Sequence, residues 1–429
     1  MNVEDSEQME RFLRDIGLSE ASSVETADVV LLNTCSVRKK PEDKAFSMLG
    51  TLREMKEKRP EMVIGVCGCM AQLRSDEIRK RAPHVDFVIG TAEISRIPGL
   101  VSESMQTRRF RSRTALPERK GSVVTDVPQR HLGNGQSAIK AFVPIQYGCD
   151  KFCTFCIVPT TRGRERSRAT EDILEEVAAL AWRGTKEITL LGQTVNSYGK
   201  NLLEGKVPFA NLLRKIANIE GIERIRYTSP YPRDFRDDLI STHREVREVM
   251  PHCHLPLQSG DDTILRAMHR IYTVESFTGI YRALRKVDGM AVTTDIIVGF
   301  PGETEEHFQN TLRAMEELRF DGAFMFAYSP RPDTKAAMME QVDHETKKRR
   351  LNGLIDLQNA ITREINLSEE GNVFEVMVEG PSEKDPTLLK GITRHFKTMH
   401  FPGDAGKGDI VHVCADEAHQ WGFYGRVVA

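Results

Sequence analysis

The sequence predicts an α/β protein of several domains: an N-terminal α/β domain on a parallel sheet, a central TIM-type barrel, complete or partial, and a small C-terminal antiparallel β-barrel of OB type. Three patterns predict it. Short continuous apolar runs alternate with helix-like segments at the start, as strands buried on both faces do. A longer series of βα units follows, as in a barrel whose chemistry sits at the carboxyl ends of its strands. The last stretch alternates with a period of two and is cut by Gly and Pro. Boundaries are expected at 1–103, 135–366 and 367–429, with 104–134 as a linker.

The N-terminal elements follow in order. "EDSEQMERFLRDIG" carries apolar residues at helical spacing and ends on Gly17. "ADVVLLNTC" is an apolar run ending at Cys35, and "EDKAFSMLGTLREMKEK" reads as a helix. "EMVIGVCGC" and "HVDFVIG" are further runs, with the helix-like "LRSDEIRKRA" between them. Parallel sheets bind ligands beyond the carboxyl ends of their strands. Cys35 and the pair Cys67/Cys69 both lie there and are expected at one edge. A doubly wound unit normally opens with a strand, but this chain opens on a helix, so a first strand and its end loop are expected to be missing. "TRRFRSR" reads as a linker or an exposed basic segment.

Six strand-like pieces then recur: "AFVPIQYG", "EITLLGQ", "RIRYTSP", "HCHLPLQ", "TTDIIVGF" and "GAFMFAYSP". Helix-like segments separate them, such as "TEDILEEVAALAWRG" with Thr170 as its expected N-cap. In the final domain "GNVFEVMVEG", "KGITRHFKTMHF", "GDIVHVCAD" and "QWGFYGRVVA" are the alternating strands.

Composition excludes several classes. The chain is 40% hydrophobic and 28% charged, with a net charge of −2, so no global field draws nucleic acid and any RNA contact must be local. No apolar run reaches membrane length and no signal peptide opens the chain, which predicts a cytoplasmic protein without a membrane. Eight cysteines without a secretory signal point to metal or catalysis in a reducing compartment.

Cys149-x3-Cys153-x2-Cys156 is the strongest signal. Structural zinc takes four ligands in a closed tetrahedron, yet no Cys or His follows within a dozen residues. An iron–sulfur cluster can hang on three thiolates and keep one iron free. This loop, with Phe155 before its last cysteine, resembles the radical S-adenosylmethionine superfamily, whose open iron chelates the cofactor and whose fold is a partial (β/α)6 barrel. "NTCSVR", "GCMAQ", "GCDKFCTFCIVPTTRGRERSR", "LLGQTVNSYG", "LPLQSGDD" and "DIIVGFPGETEE" together resemble the methylthiotransferases, specifically the type that acts on isopentenylated adenosine 37 of tRNA, and the last domain resembles a TRAM domain.

That resemblance implies two 4Fe–4S clusters and S-adenosylmethionine. Cys149, Cys153 and Cys156 would hold the radical cluster, Cys35 and Cys69 two corners of an auxiliary one, and Phe155, Gln193, Gly299 and Gly302 would meet the cofactor. The third auxiliary cysteine of the family pattern falls where the missing strand would end; Cys67 is weighed as its substitute and as a packed hydrophobe. The implied partners are a tRNA anticodon stem-loop and an electron donor of flavodoxin or ferredoxin type, with the protein a monomer. Rival readings are the same chemistry on threonylcarbamoyladenosine or a ribosomal protein, and an RNA-binding protein without full activity.

Arg162, Arg164, Arg166 and Arg168 alternate, so an extended backbone would place them on one face for phosphate or for solvent. His252 and His254 would share a face opposite Cys253. A metal there is a weak reading, because one strand supplies too few ligands. Cys414 is expected in a core. The aromatic and basic mix of "KGITRHFKTMHF" suits RNA contact or ordinary hairpin packing.

Overall fold

A computed structural model describes residues 1–36, 39–107, 109–117, 130, 138–202 and 205–428. In the N-terminal domain four parallel strands pair in chain order: Val29–Thr34, Val63–Gly68, Phe87–Ile89 and Arg111–Arg113. Apolar residues face both ways. Val30, Leu32, Ile64 and Val66 pack with Leu49, Leu52, Met70 and Ile78 on one side. Val29, Leu31, Val63 and Cys67 pack with Met9, Ile97 and Val101 on the other. Helices Lys39–Lys58 and Cys69–Arg81 supply the first set of partners, and Asn2–Asp15 and Ile97–Gln106 the second. Gly17, at φ +84°, closes the first helix as expected, its N–H donating to Arg14 O.

The fourth strand corrects the linker reading. Arg111–Arg113 pairs with Phe87–Ile89, and Gln72 Nε2 donates to Thr114 O at 2.6 Å. Charged side chains suit an edge strand, one side of which meets water.

The central domain carries six parallel strands: Lys140–Pro144, Glu187–Leu191, Arg224–Tyr227, His252–His254, Ala291–Val298 and Gly322–Ala327. They run in chain order as two sets of three, and a parallel bridge between Ile225 and Val249 links the third strand to the segment that leads into the fourth. The first and last strands are sheet edges, so the barrel is partial. Helices including Thr170–Trp182, Phe209–Ala217, Val274–Leu284 and Glu305–Leu318 cover the outside over one large apolar core. Thr170 is not the cap of its helix. Ala169 holds that position without a side-chain bond, and the Thr170 hydroxyl sits 3.2 Å from Tyr198 Oη.

Helix His344–Ser368 leads to a closed five-stranded barrel of Val373–Pro381, Leu389–Thr393, Thr398–Phe401, Ile410–His419 and Gly422–Val427. Its core holds Phe374, Val376, Met399, Phe401 and Phe423. Cys414 is buried there, as expected. The hairpin turn of this barrel docks on the central domain. Arg224 donates to Ile392 O at 2.8 Å, and Arg226 donates to Thr393 O and Arg394 O while pairing with Glu187 at 3.0 Å. The turn of the "KGITRHFKTMHF" stretch therefore faces the central domain.

Candidate active site

The cysteine loop leaves the first barrel strand through a turn that only glycine fits. Gly148 lies at φ +71°, and a Cβ there would meet Arg164 O at 2.2 Å and Gly163 O at 2.4 Å. Cys149 N–H donates to Gly163 O at 3.1 Å. The rest of the loop hangs on residues 267–269. Thr154 donates through N–H to Met268 O and through Oγ1 to Ala267 O, and His269 Nδ1 lies 3.3 Å from Lys151 O. The sequence had no cue for this support, because it comes from a turn more than a hundred residues away.

The three sulfurs sit among N–H donors. Lys151 N–H points at Cys149 Sγ and Val158 N–H at Cys156 Sγ, both at 3.5 Å, and Arg270 Nη1 at Cys153 Sγ at 3.4 Å. Burial pushes the Cys149 thiol up to about 12; burial and the neighbouring Cys153 push Cys156 up to about 11. Among the described residues no three His, Cys, Asp or Glu groups converge on one ion. A 4Fe–4S cluster sets each thiolate on a different iron, so it asks for neighbouring sulfurs and not for a single focus. Three thiols with N–H and guanidinium donors suit such a cluster.

Two further groups call for a polar ligand at this strand end. Gln146 is fully buried with neither amide atom partnered, and Gln193 Oε1 is likewise buried and unpartnered. A buried amide without partners costs about 1–3 kcal/mol, so these positions fit a polar cofactor. Gln193 was expected at the cofactor; Gln146 was missed. The parity of Lys140, Phe142, Pro144 and Gln146 along one strand direction was the signal that it faces inward.

The other expected cofactor contacts divide. Phe155 packs edge-on to Phe300 at 6.2 Å, within a small core that includes Met268 and Tyr328. Gly299 departs from expectation. Its N–H donates to Glu303 Oε2 at 2.6 Å, and a Cβ would meet Lys347 Cγ at 2.4 Å, so the close approach it permits is to Lys347. Gly302 adopts φ +82° with open space around it.

The arginine series corrects both of its readings. Arg162 is buried and paired with Asp5 at 2.5 Å, Arg168 is buried and paired with Glu176 at 2.6 Å, and Arg166 is buried beside Tyr147. Only Arg164 is exposed, and it pairs with Asp150. Arg162 thus ties the central domain to the first helix, while Arg166 and Arg168 are held inside the central domain, and none of the three offers a face to phosphate or to water.

The N-terminal thiols arrive at the same end. Cys35 and Cys69 follow adjacent parallel strands; burial raises the Cys69 thiol and nearby Cys35 adds to the rise, and Cys69 in turn adds to the rise that burial gives Cys156. Cys67 is fully buried with Met9, Phe87 and Ile97 on the far face of its strand, so it packs as a hydrophobe and is no substitute ligand. The described residues bring two thiols, Cys35 and Cys69, to the auxiliary position. As expected, Cys253 faces the core while His252 and His254 face inward together. Among the described residues no helix is long and apolar enough to cross a membrane.

A partial six-stranded barrel with three thiols on the loop after its first strand defines a radical S-adenosylmethionine enzyme. The radical S-adenosylmethionine superfamily matches residues 143–315, and the uncharacterized protein family UPF0004 matches residues 1–90. In fold the chain is similar to the radical S-adenosylmethionine methyltransferase TsrM of Kitasatospora setae, with TM-score 0.55 and 15% identity over 79% of this chain and 72% of that one. The tRNA-2-methylthio-N6-dimethylallyladenosine synthase of Moorella thermoacetica is 44% identical over all of this chain and 96% of its own length. That of Carboxydothermus hydrogenoformans is 44% identical over 94% and 91%. The chain belongs to this tRNA-2-methylthio-N6-dimethylallyladenosine synthase family.

Proposed function

We propose that this enzyme converts N6-isopentenyladenosine at position 37 of tRNA to its 2-methylthio derivative. The observation that carries the reading is the meeting of two thiol sets, Cys149/Cys153/Cys156 and Cys35/Cys69, at one end of a six-stranded barrel. Relatives that carry that name match the chain over its whole length. The C2–H bond of adenine has no acidity that a side-chain base could use near neutral pH.

Cys149, Cys153 and Cys156 would hold a 4Fe–4S cluster which, with S-adenosylmethionine, supplies a 5′-deoxyadenosyl radical able to take the C2 hydrogen. Arg270 sets the electrostatics around Cys153. It is partly buried between Tyr231 and Tyr272, and burial opposes its charge while Tyr272 and Cys153 more than offset that cost. Gln146 and Gln193 offer unpartnered amides to the cofactor's polar groups. Cys35 and Cys69 would hold an auxiliary 4Fe–4S cluster, which would supply the sulfur of the methylthio group. The tRNA presents the base from a single-stranded anticodon loop, so no duplex need break. The electron donor is of flavodoxin or ferredoxin type, and the enzyme acts as a cytoplasmic monomer.

Mass analysis of tRNA nucleosides from a deletion strain tests the reading. The 2-methylthio-isopentenyl nucleoside should vanish and its isopentenyl precursor accumulate; persistence of the methylthio nucleoside contradicts the assignment.

A further inference from the structure

We propose that His254, Asp295 and Phe324, floored by Phe396 of the C-terminal barrel, form the pocket that reads the N6 substituent of the target adenine and makes the enzyme require a prenylated base. This rests on the function proposed above and assigns its specificity to particular side chains.

Strand alternation places the strip in the barrel interior. Cys253 is fully buried in the outer core, so its neighbours His252 and His254 point inward. Thr293 Oγ1 sits 3.2 Å from His252 Nε2 and 3.1 Å from His254 Nδ1, tying both imidazoles to the next strand. His254 Nε2 then reaches Asp295 Oδ2 at 3.3 Å. Asp295 stands in register with Phe324 on the last strand, and Phe324 meets His254 edge-on at 5.7 Å.

Phe324 is 60% exposed although it belongs to this inward row. Phe396 is 54% exposed, at a hairpin turn with φ +69° that a bulky residue adopts only under constraint. The constraint is visible: its ring stacks on His252 at 4.8 Å, and Arg226 lies 5.1 Å from it while holding Thr393 O and Arg394 O. The other domain thus builds the floor of the strip.

The strip offers two uncovered aromatic rings and one carboxylate, and, among the described residues, no free cation. Arg226 is committed to Glu187 and to carbonyls, and burial, with Arg226 alongside, keeps His252 neutral. This set suits a neutral heterocycle bearing one N–H and a hydrocarbon arm, which is the N6 edge of prenylated adenine: the nitrogen keeps one hydrogen for Asp295, and the arm covers Phe324 and Phe396. C2 and N6 leave the ring in different directions, so a base that shows C2 to the cysteine end sends its arm down the interior. An unmodified adenine leaves the rings wet and forfeits that burial.

The test uses the reconstituted full chain with S-adenosylmethionine, and anticodon stem-loop RNA with and without the N6-isopentenyl group, read by fluorescence anisotropy. The parent should prefer the prenylated RNA. Phe324→Ala should cut that preference by about tenfold, chiefly by weakening the prenylated complex. Phe324→Trp, which fills the space, should cut it similarly while leaving the unmodified RNA's Kd unchanged. If both variants keep the preference within about twofold, or weaken both RNAs alike, the inference is overturned. If the parent itself shows no preference and makes no methylthio nucleoside, the functional reading fails, and the inference with it.

Discussion

Glu176→Gln removes the central charge of a buried network that joins two domains. Glu176 takes Arg130 through contacts of 2.7 and 2.9 Å and Arg168 at 2.6 Å, and Arg130 also reaches Glu4 on the first helix. All four side chains are almost wholly enclosed. An amide is isosteric, so shape survives while two buried guanidiniums lose their shared counter-charge. Removing one partner of such a pair costs about 3–5 kcal/mol. At about 2–4 °C per kcal/mol for a domain of this size, the melting temperature should fall by roughly 6–20 °C. Glu171→Gln, on the exposed first turn of the same helix, removes only a helix-dipole contact worth about 0.3–1 kcal/mol and is the control. The assay is a thermal melt followed by circular dichroism. Burial raises the Glu176 pKa, but Arg168 and Arg130 outweigh it and hold the carboxyl below its usual range. Its contribution is therefore present above the unfolded value and is lost as pH falls through the folded one. The gap between variant and parent should stay level from about pH 8 to 5 and close only in stronger acid. A Glu176→Gln melt within about 2 °C of the control would refute the network's role.

Other outcomes follow from the same structure. Cys149→Ala, Cys153→Ala or Cys156→Ala should each abolish the cluster's visible absorbance and the methylthio product, whereas Cys67→Ala, which empties a packed site, should keep activity and cost about 1–2 kcal/mol in a denaturant melt. Gly68→Ala should cost about 2 kcal/mol or more and disturb the end that carries Cys35 and Cys69, because its Cβ would meet Thr34 O at 2.4 Å at φ +91°; a melt identical to the parent refutes this. Burial raises Glu165 to about 7, so its folded state binds a proton that the unfolded state has lost. Glu165→Gln should then match the parent in acid and exceed it by roughly 2–3 kcal/mol above pH 7, as urea melts at two pH values will show.

Most strands of this protein were legible because they fall in short segments rich in apolar residues and bounded by Gly, Pro or a polar turn, and the six barrel strands lie where such segments fall. The cysteine loop was legible because its ligands are local. Partners brought by distant elements were not. Arg162, Arg166 and Arg168 look like a charged face until Asp5, Tyr147 and Glu176 cover them. Arg111–Arg113 looks like a linker because three residues, two of them charged, carry no apolar period, and only pairing with Phe87–Ile89 makes them a strand. Gly299 looks like room for a ligand until Lys347 fills it. Periodicity reports which residues share a face, and the covering of that face is decided by the rest of the chain.

The most direct test of the central claim uses stem-loop RNA deuterated at C2 of its prenylated adenosine, incubated anaerobically with reconstituted protein, S-adenosylmethionine and a one-electron reductant. The three-thiol loop predicts deuterium in 5′-deoxyadenosine and a 2-methylthio nucleoside without deuterium. Deuterium retained on the base, with no label in 5′-deoxyadenosine, would contradict it.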